Sequence, residues 1–181
     1  TLSVDALLLA VETIHMVDFQ FELVQRSDLD LTFKDERGRA ALDEARRLPG
    51  VDLAEPVFDV GCTFANGSHV RKGTITGVAV DAVLTRPRDS QGRPLRIPES
   101  GLLLTKKMAE ILHVGRGDSL TVQTTRGLRD TYVVHVAEIA DSFLGIGVYA
   151  SAEFLARLLK EEFALNGVQL LVRPGDEARR A

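Results

Sequence analysis

Gly101-Leu102-Leu103-Leu104-Thr105-Lys106-Lys107-Met108-Ala109-Glu110-Ile111-Leu112-His113-Val114-Gly115-Arg116-Gly117-Asp118-Ser119-Leu120-Thr121-Val122 is the stretch from which the fold is read. It divides into a short extended lead, one helix, a glycine turn and a strand. Thr105 is placed to cap the helix, its hydroxyl oxygen accepting from a backbone N–H that would otherwise lack a partner. Met108, Ile111 and Leu112 fall at i, i+3 and i+4, so one helical face is apolar. Gly115 and Gly117 supply the backbone freedom to end the helix and turn. Leu120 and Val122 then alternate with Thr121, the period-two pattern of a half-buried strand. Arg116-Gly117-Asp118 matches an integrin-binding tripeptide, but a turn leading into a strand accounts for it without a ligand. No residue of the block suits catalysis.

Upstream, Ser3 to about Val24 reads as a long amphipathic helix. Val4, Leu7, Leu8, Val11, Ile14 and Phe21 lie largely on one stripe. It either packs on the core or continues upward into a membrane span. Asp28 to Phe33 alternates polar and apolar side chains, so it is a strand. Asp35 is placed to cap a helix that runs to about Arg47, with Ala41, Leu42, Ala45 and Leu48 inward, and Pro49-Gly50 stops it. Val51–Ala65 and Val70–Val83 read as paired strands about an Asn66-Gly67 turn. Asn66-Gly67-Ser68 also fits a glycosylation sequon, which the turn explains more simply. Residues 86–96 form a polar loop with Pro87, Gly92 and Pro94, the expected seam between subdomains.

Downstream, Thr125–Asp130 is a turn with Gly127 at its tip, and Tyr132–Ile139 is a strand. Ser151 caps a last helix to about Glu162, with Phe154, Leu155, Leu158 and Leu159 inward. Asn166-Gly167 ends that connection, and Val168–Val172 is a closing strand before a charged tail. The order lacks the regular βαβα rhythm of a parallel sheet. The expected fold is α+β, a single domain over 1–181. It has a helix-on-sheet layer and a smaller barrel-like β region after Leu95.

Hydrophobic residues make up 45% of the 181 and charged residues 27%, enough for a folded core. The net charge is −4 with the signs mixed, and no basic stripe suits a nucleic acid. Cys62 is alone, which excludes an internal disulfide and an all-cysteine metal site. The longest apolar run, Ala6–Val11, is far short of the ~20 residues of a membrane span, and no basic segment precedes it as in a signal peptide. Two readings follow: a complete cytosolic protein, or a piece of a longer membrane chain. The absence of an initial Met leans toward the second.

Chemistry has few carriers. His15, His69, His113 and His135 form no helical ligand pair, so no metal or cofactor is expected. Cys62 and His69 lie across the Asn66-Gly67 turn, where antiparallel pairing would bring them near each other as a nucleophile pair. No glycine-rich elbow accompanies them, and a structural cysteine is the better reading. Gly115-x-Gly117 follows a helix instead of opening one, the wrong order for a phosphate loop. Asp28 and Asp30 share a strand face that meets solvent. Phe143-Leu144-Gly145-Ile146-Gly147 is the one candidate contact surface: Phe143, Leu144 and Ile146 either bind a partner or lipid, or fold into the core.

The ordered set of landmarks carries a resemblance. It comprises Gln25 to Phe33, Leu48-Pro49-Gly50-Val51, Gly77, Ile97-Pro98 through Val122, Gly147-Val148-Tyr149, and the Phe154-Leu155-x-x-Leu158-Leu159 helix. Over roughly Phe21–Pro174 it resembles the extracytoplasmic, MacB-like periplasmic core domain of FtsX/MacB-type ABC transporter permeases. The resemblance implies a non-enzymatic domain on the periplasmic face of a bacterial inner membrane, inserted between membrane spans. Its implied partners are a cytoplasmic ATPase subunit reached through those spans, a second permease copy, and an adaptor protein or a lipid, lipoprotein or peptide substrate. The 1–24 helix would transmit motion from the spans. The rival reading is a freestanding small enzyme or binding module with Cys62 and His69 in a cleft.

Overall fold

The computed structural model describes residues 27–125, 130–142, 145–160 and 164–172, and of 34–36 the backbone alone. The elements run β1 (Leu29–Arg37), α1 (Arg39–Arg46), β2 (Val51–Asn66), β3 (His69–Val78), β4 (Leu102–Thr105), α2 (Lys106–Leu112), β5 (Ser119–Thr124), β6 (Thr131–Ala140), β7 (Val148–Ser151), α3 (Ala152–Leu158) and β8 (Leu165–Val172).

All eight strands belong to one sheet, in the order β1-β8-β2-β3-β7-β4-β6-β5, and β5 pairs back onto β2. The last six strands therefore close into a barrel, while β1 and β8 extend from β2 as an open wing. The 16-residue β2 makes this possible. Its first part, Val51–Val57, pairs with β8, and Cys62–Ala65 pairs with β5.

Alternation along β2 decides what is inside. Phe58, Cys62 and Phe64 face the barrel core with Ile75, Leu104, Leu120 and Val136. Met108 and Leu112 of α2 and Leu155 of α3 join the same core. On the wing, Leu42 and Ala45 of α1 pack against Ala54, Val168 and Leu170. These are the helix-on-sheet layer and the barrel expected from the sequence, but the barrel does not begin after Leu95. It recruits β2 and β3, because only a strand as long as β2 can serve both layers.

Local expectations hold where a cap is present. The Thr105 hydroxyl accepts from Met108 N–H at 3.4 Å and Ser151 Oγ accepts from Phe154 N–H at 3.0 Å. They fail where longer contacts intervene. Asp35 does not stand at the N-cap position: β1 runs through it to Arg37, and Gly38 holds the N-cap place without a side-chain bond. Leu48 is 46% exposed, since α1 ends at Arg46 and leaves it on the following turn. Ala109 is buried in α2 where Ile111 was expected and is only half-buried. The glycines do not end α2; His113, in the left-handed region at φ 52°, is its C-cap. The β3 strand stops at Val78, not Val83, because the Glu55 carboxylate takes the N–H groups of Val83 and Leu84 at 2.8 and 2.9 Å. Asn166-Gly167 lies inside β8 and does not end a connection.

The last helix ends at Leu158 with Leu159 as its C-cap, short of the expected Glu162, and Lys160 turns into the left-handed region at φ 60°. The 1–24 helix, the Gly127 tip and the charged tail lie outside the described residues. The 86–96 loop folds on itself. The Asp89 carboxylate accepts from the N–H groups of Gln91 and Arg93, each at 2.9 Å, and from Arg93 Nε at 2.7 Å. No helix among the described residues is long and apolar enough to cross a membrane.

Candidate functional site

Where β2 changes partner, from β8 to β5, one edge of Phe58–Gly61 has no neighbouring strand. Buried or half-buried backbone groups left this way cost free energy unless something pairs them. Two residues do so. Asn166 Oδ1 accepts from the Asp59 N–H at 2.9 Å and its Nδ2 donates to the Asp59 carbonyl at 2.6 Å. Thr125 donates to the Gly61 carbonyl through its N–H at 2.9 Å and its hydroxyl at 3.0 Å.

A cleft of about 380 Å³ opens at this switch point, on the face of the wing opposite α1. The register explains its lining. Asp59 lies opposite Thr76, and Thr76 opposite Tyr149, so the three form one row across β2, β3 and β7. On the wing the same face carries Asp30 opposite Gln169 and Thr32 opposite Gly167, with Gly167 opposite Val57. Thr85, on the segment that Glu55 holds down, hydrogen-bonds Gln169 and closes one side.

The electrostatics follow from the enclosure. Asp59 is exposed, and burial on its cleft side raises its pKa above the ordinary 3.8, against a lowering by the Thr76 hydrogen bond. Tyr149 is raised too, first by burial and then by the Asp59 charge, which places the phenol and the carboxyl in one field. Asp30 accepts from Ser27 Oγ at 2.7 Å.

The residues singled out in the sequence fare differently. Phe143 and Leu144 lie outside the described residues. Ile146 is 44% exposed. The chain leaves it firmly held, because Gly147 N–H donates to Thr105 Oγ1 at 3.0 Å and Thr105 N–H donates to the Gly147 carbonyl at 3.0 Å. Cys62 and His69 are not brought together. Cys62 lies opposite Gly73, four residues along β3 from His69, which is roughly 13 Å of strand. Cys62 is buried in the barrel, where loss of water pushes its thiol up to about 12. His69 stands exposed at the hairpin end and stacks on His113, ring centroids 4.0 Å apart. Among the described residues no group of three His, Cys, Asp or Glu side chains is placed to hold a metal.

Sequence reasoning missed the row Asp59, Thr76 and Tyr149 with its brace Asn166. No local signal marks it: its members lie on four strands, and each alone is an ordinary polar residue of a sheet.

No model of a known protein family matches the chain, and no curated protein matches it. Solved structures do. The extracellular domain of the noncanonic ABC-type transporter YknZ from Gram-positive bacteria superposes with a TM-score of 0.54 at 16% identity, covering 87% of this chain and 84% of that one. The periplasmic region of MacB from Actinobacillus actinomycetemcomitans superposes with a TM-score of 0.54 at 8% identity, covering 92% of this chain and 85% of that one. At such identities the likeness is one of fold, and the fold of this chain is that of the extracytoplasmic domains of MacB-like ABC transporters.

Proposed function

We propose that this chain is the extracytoplasmic domain of an ABC transporter permease, on the periplasmic face of a bacterial inner membrane. It binds a substrate or partner protein and couples that binding to the ATPase cycle of a cytoplasmic subunit. The observation that carries this is the shared fold across nearly the whole chain with the outer domains of two ABC transporters. The absence of a converging Cys62/His69 pair favours it over a small enzyme.

In this proposal the domain acts mechanically. The 1–24 segment, amphipathic in sequence, continues a membrane span and moves the domain when the ATPase closes. Residues 1–181 move as one domain, and the 86–96 loop marks the seam between its subdomains. Phe143, Leu144 and Ile146 meet the partner, whether a second permease copy, an adaptor protein, or a lipid, lipoprotein or peptide. The Thr105–Gly147 bonds would carry a displacement at Ile146 into α2 and the barrel core.

The test begins with the gene. One apolar segment of ~20 residues before Thr1 and about three after Ala181 are expected. A gene without them overturns the permease reading. In the intact transporter, Ile146→Asp is expected to lower substrate-stimulated ATPase activity while leaving basal turnover in place. An unchanged stimulation removes this segment from the contact surface.

A further inference from the structure

We propose that the cleft at the β2 switch point binds an organic cation: a primary ammonium on an aliphatic chain, with the ammonium at Asp59 and the chain along Val57 and the Tyr149 ring. The site is read from the cleft alone, so its loss would leave the transporter reading standing.

The size comes first. A volume of about 380 Å³ lies toward the lower end of the roughly 300–1,000 Å³ of small-molecule sites. It admits a short chain, not a folded peptide. The lining is divided as such a ligand requires. Val57 offers apolar surface, and Asp59, Thr76 and Tyr149 converge at the barrel end as one cross-strand row.

Charge selects the sign of the ligand. Two carboxylates, Asp30 and Asp59, line the cleft, and none of its described lining residues is a lysine, arginine or histidine. A third carboxylate on this face, Glu55, is already occupied by the backbone of Val83 and Leu84. Asp59 is the carboxylate placed beside Thr76 and Tyr149 in the cross-strand row, with its solvation reduced on the cleft side. An ammonium restores the lost solvation through a charge-assisted hydrogen bond, the stronger class of such bonds. An anion in the same place would meet two negative charges and no donor of opposite sign.

The brace makes the site rigid. Asn166 fixes the backbone of Asp59 on one side, and the β2–β3 ladder fixes it on the other. Little ordering is then left for a ligand to impose, which favours binding by a small molecule.

The test uses the 181-residue chain with n-hexylammonium chloride and sodium hexanoate, two probes of equal chain length and opposite charge, followed by ¹H–¹⁵N NMR. Hexylammonium is expected to shift the amides of Asp59, Thr76 and Gly167 saturably, and hexanoate is expected to leave them in place. Asp59→Asn, which keeps shape and hydrogen bonding, is expected to weaken hexylammonium about tenfold. N-acetyl-lysine methylamide separates the two sources of the ammonium. Binding assigns the site to a lysine of a protein partner, exclusion assigns it to a free amine, and either upholds the cation. No saturable shift at millimolar hexylammonium overturns the proposal, as does equal binding of hexanoate or an unweakened Asp59→Asn. The comparison of the two probes needs no variant, so a failure of Asp59→Asn to fold leaves the test intact.

Discussion

The Asn166 carboxamide grips the backbone of Asp59 from 107 residues away, accepting from its N–H at 2.9 Å and donating to its carbonyl at 2.6 Å. It stands in for a strand. β2 has left β8 by this point and has not yet met β5, and a single side chain satisfies both backbone groups of Asp59 that the gap exposes.

Asn166→Ala is therefore expected to destabilise the fold by about 0.5–1.5 kcal/mol, the net range for a lost hydrogen bond whose groups water can reach. Urea unfolding followed by circular dichroism reads this as a lower midpoint with an unchanged slope. Asn166→Asp keeps the acceptor, loses the donor and adds a charge beside Asp59, so it should be no better than Ala at neutral pH. A midpoint equal to that of the parent would remove Asn166 from the brace.

Asp59 bears on pH dependence. Its folded pKa is raised above 3.8, so the folded state holds its proton more tightly than the unfolded chain does. The stability gained from that proton is complete below 3.8 and is lost as pH rises through the folded value. At neutral pH the ionised carboxylate is a cost. Asp59→Asn should raise the melting temperature at pH 7, and its advantage should vanish as the pH falls below the ordinary aspartate range. An advantage that persists undiminished in acid would contradict the desolvation account.

Cys62 should be chemically silent. With its thiol raised from 9.0 to about 12 by burial, the thiolate fraction at neutral pH falls about a thousandfold relative to an ordinary cysteine. Iodoacetamide is expected to label the native chain only at the rate of global opening, and to label it fully in urea. Rapid labelling of the folded chain would revive Cys62 as a reactive group.

Thr105 joins two functions in one hydroxyl. It caps α2 by accepting from Met108 N–H, and it accepts from Gly147 N–H at the end of the 143–147 segment. Thr105→Ala is expected to cost about 0.5–2 kcal/mol, as for other N-cap losses. Thr105→Ser, which keeps the oxygen, should recover most of it. Faster amide hydrogen exchange at both Met108 and Gly147 in the alanine variant is the signature of the double role. Faster exchange at Met108 alone would leave Thr105 as a simple cap.

Gly77 tests the packing of α3 on the barrel. A Cβ placed there would lie 3.0 Å from the Phe58 carbonyl oxygen and 3.1 Å from Leu155 Cδ2. Gly77→Ala should destabilise by about 1–3 kcal/mol through overpacking. Gly38→Ala, where nothing lies within 4 Å, should show no overpacking and cost at most about 1 kcal/mol, because alanine is a poorer N-cap than glycine.

The expectations that held rest on residues close in sequence. Thr105 and Ser151 cap their helices because an N-cap bond spans three residues. The β2–β3 hairpin follows from Gly67 at φ 58° between two extended runs. Leu42 and Ala45 point inward because helical periodicity puts them on one face. Those that failed depended on something distant. The early end of β3 is imposed by Glu55, 28 residues back, and the later start of α1, past Asp35, by a strand that β8 extends to Arg37. Cys62 and His69 flank the same turn, but strand alternation and register put one in the core and the other at an exposed tip.

By itself the sequence determined the local elements, the α+β class and the apolar alternation that makes one face of each strand a core face, since caps, turns and periodicity act within a few residues. Only the tertiary structure decided that β2 serves two layers, that six strands close into a barrel, and that Asp59, Thr76, Tyr149 and Asn166 meet at the join. The physical reason is that a strand's choice of partner depends on which unpaired backbone edge reaches it. Here that edge comes from β5 on one stretch and β8 on another, elements that lie far along the chain and leave no mark in the neighbourhood of β2.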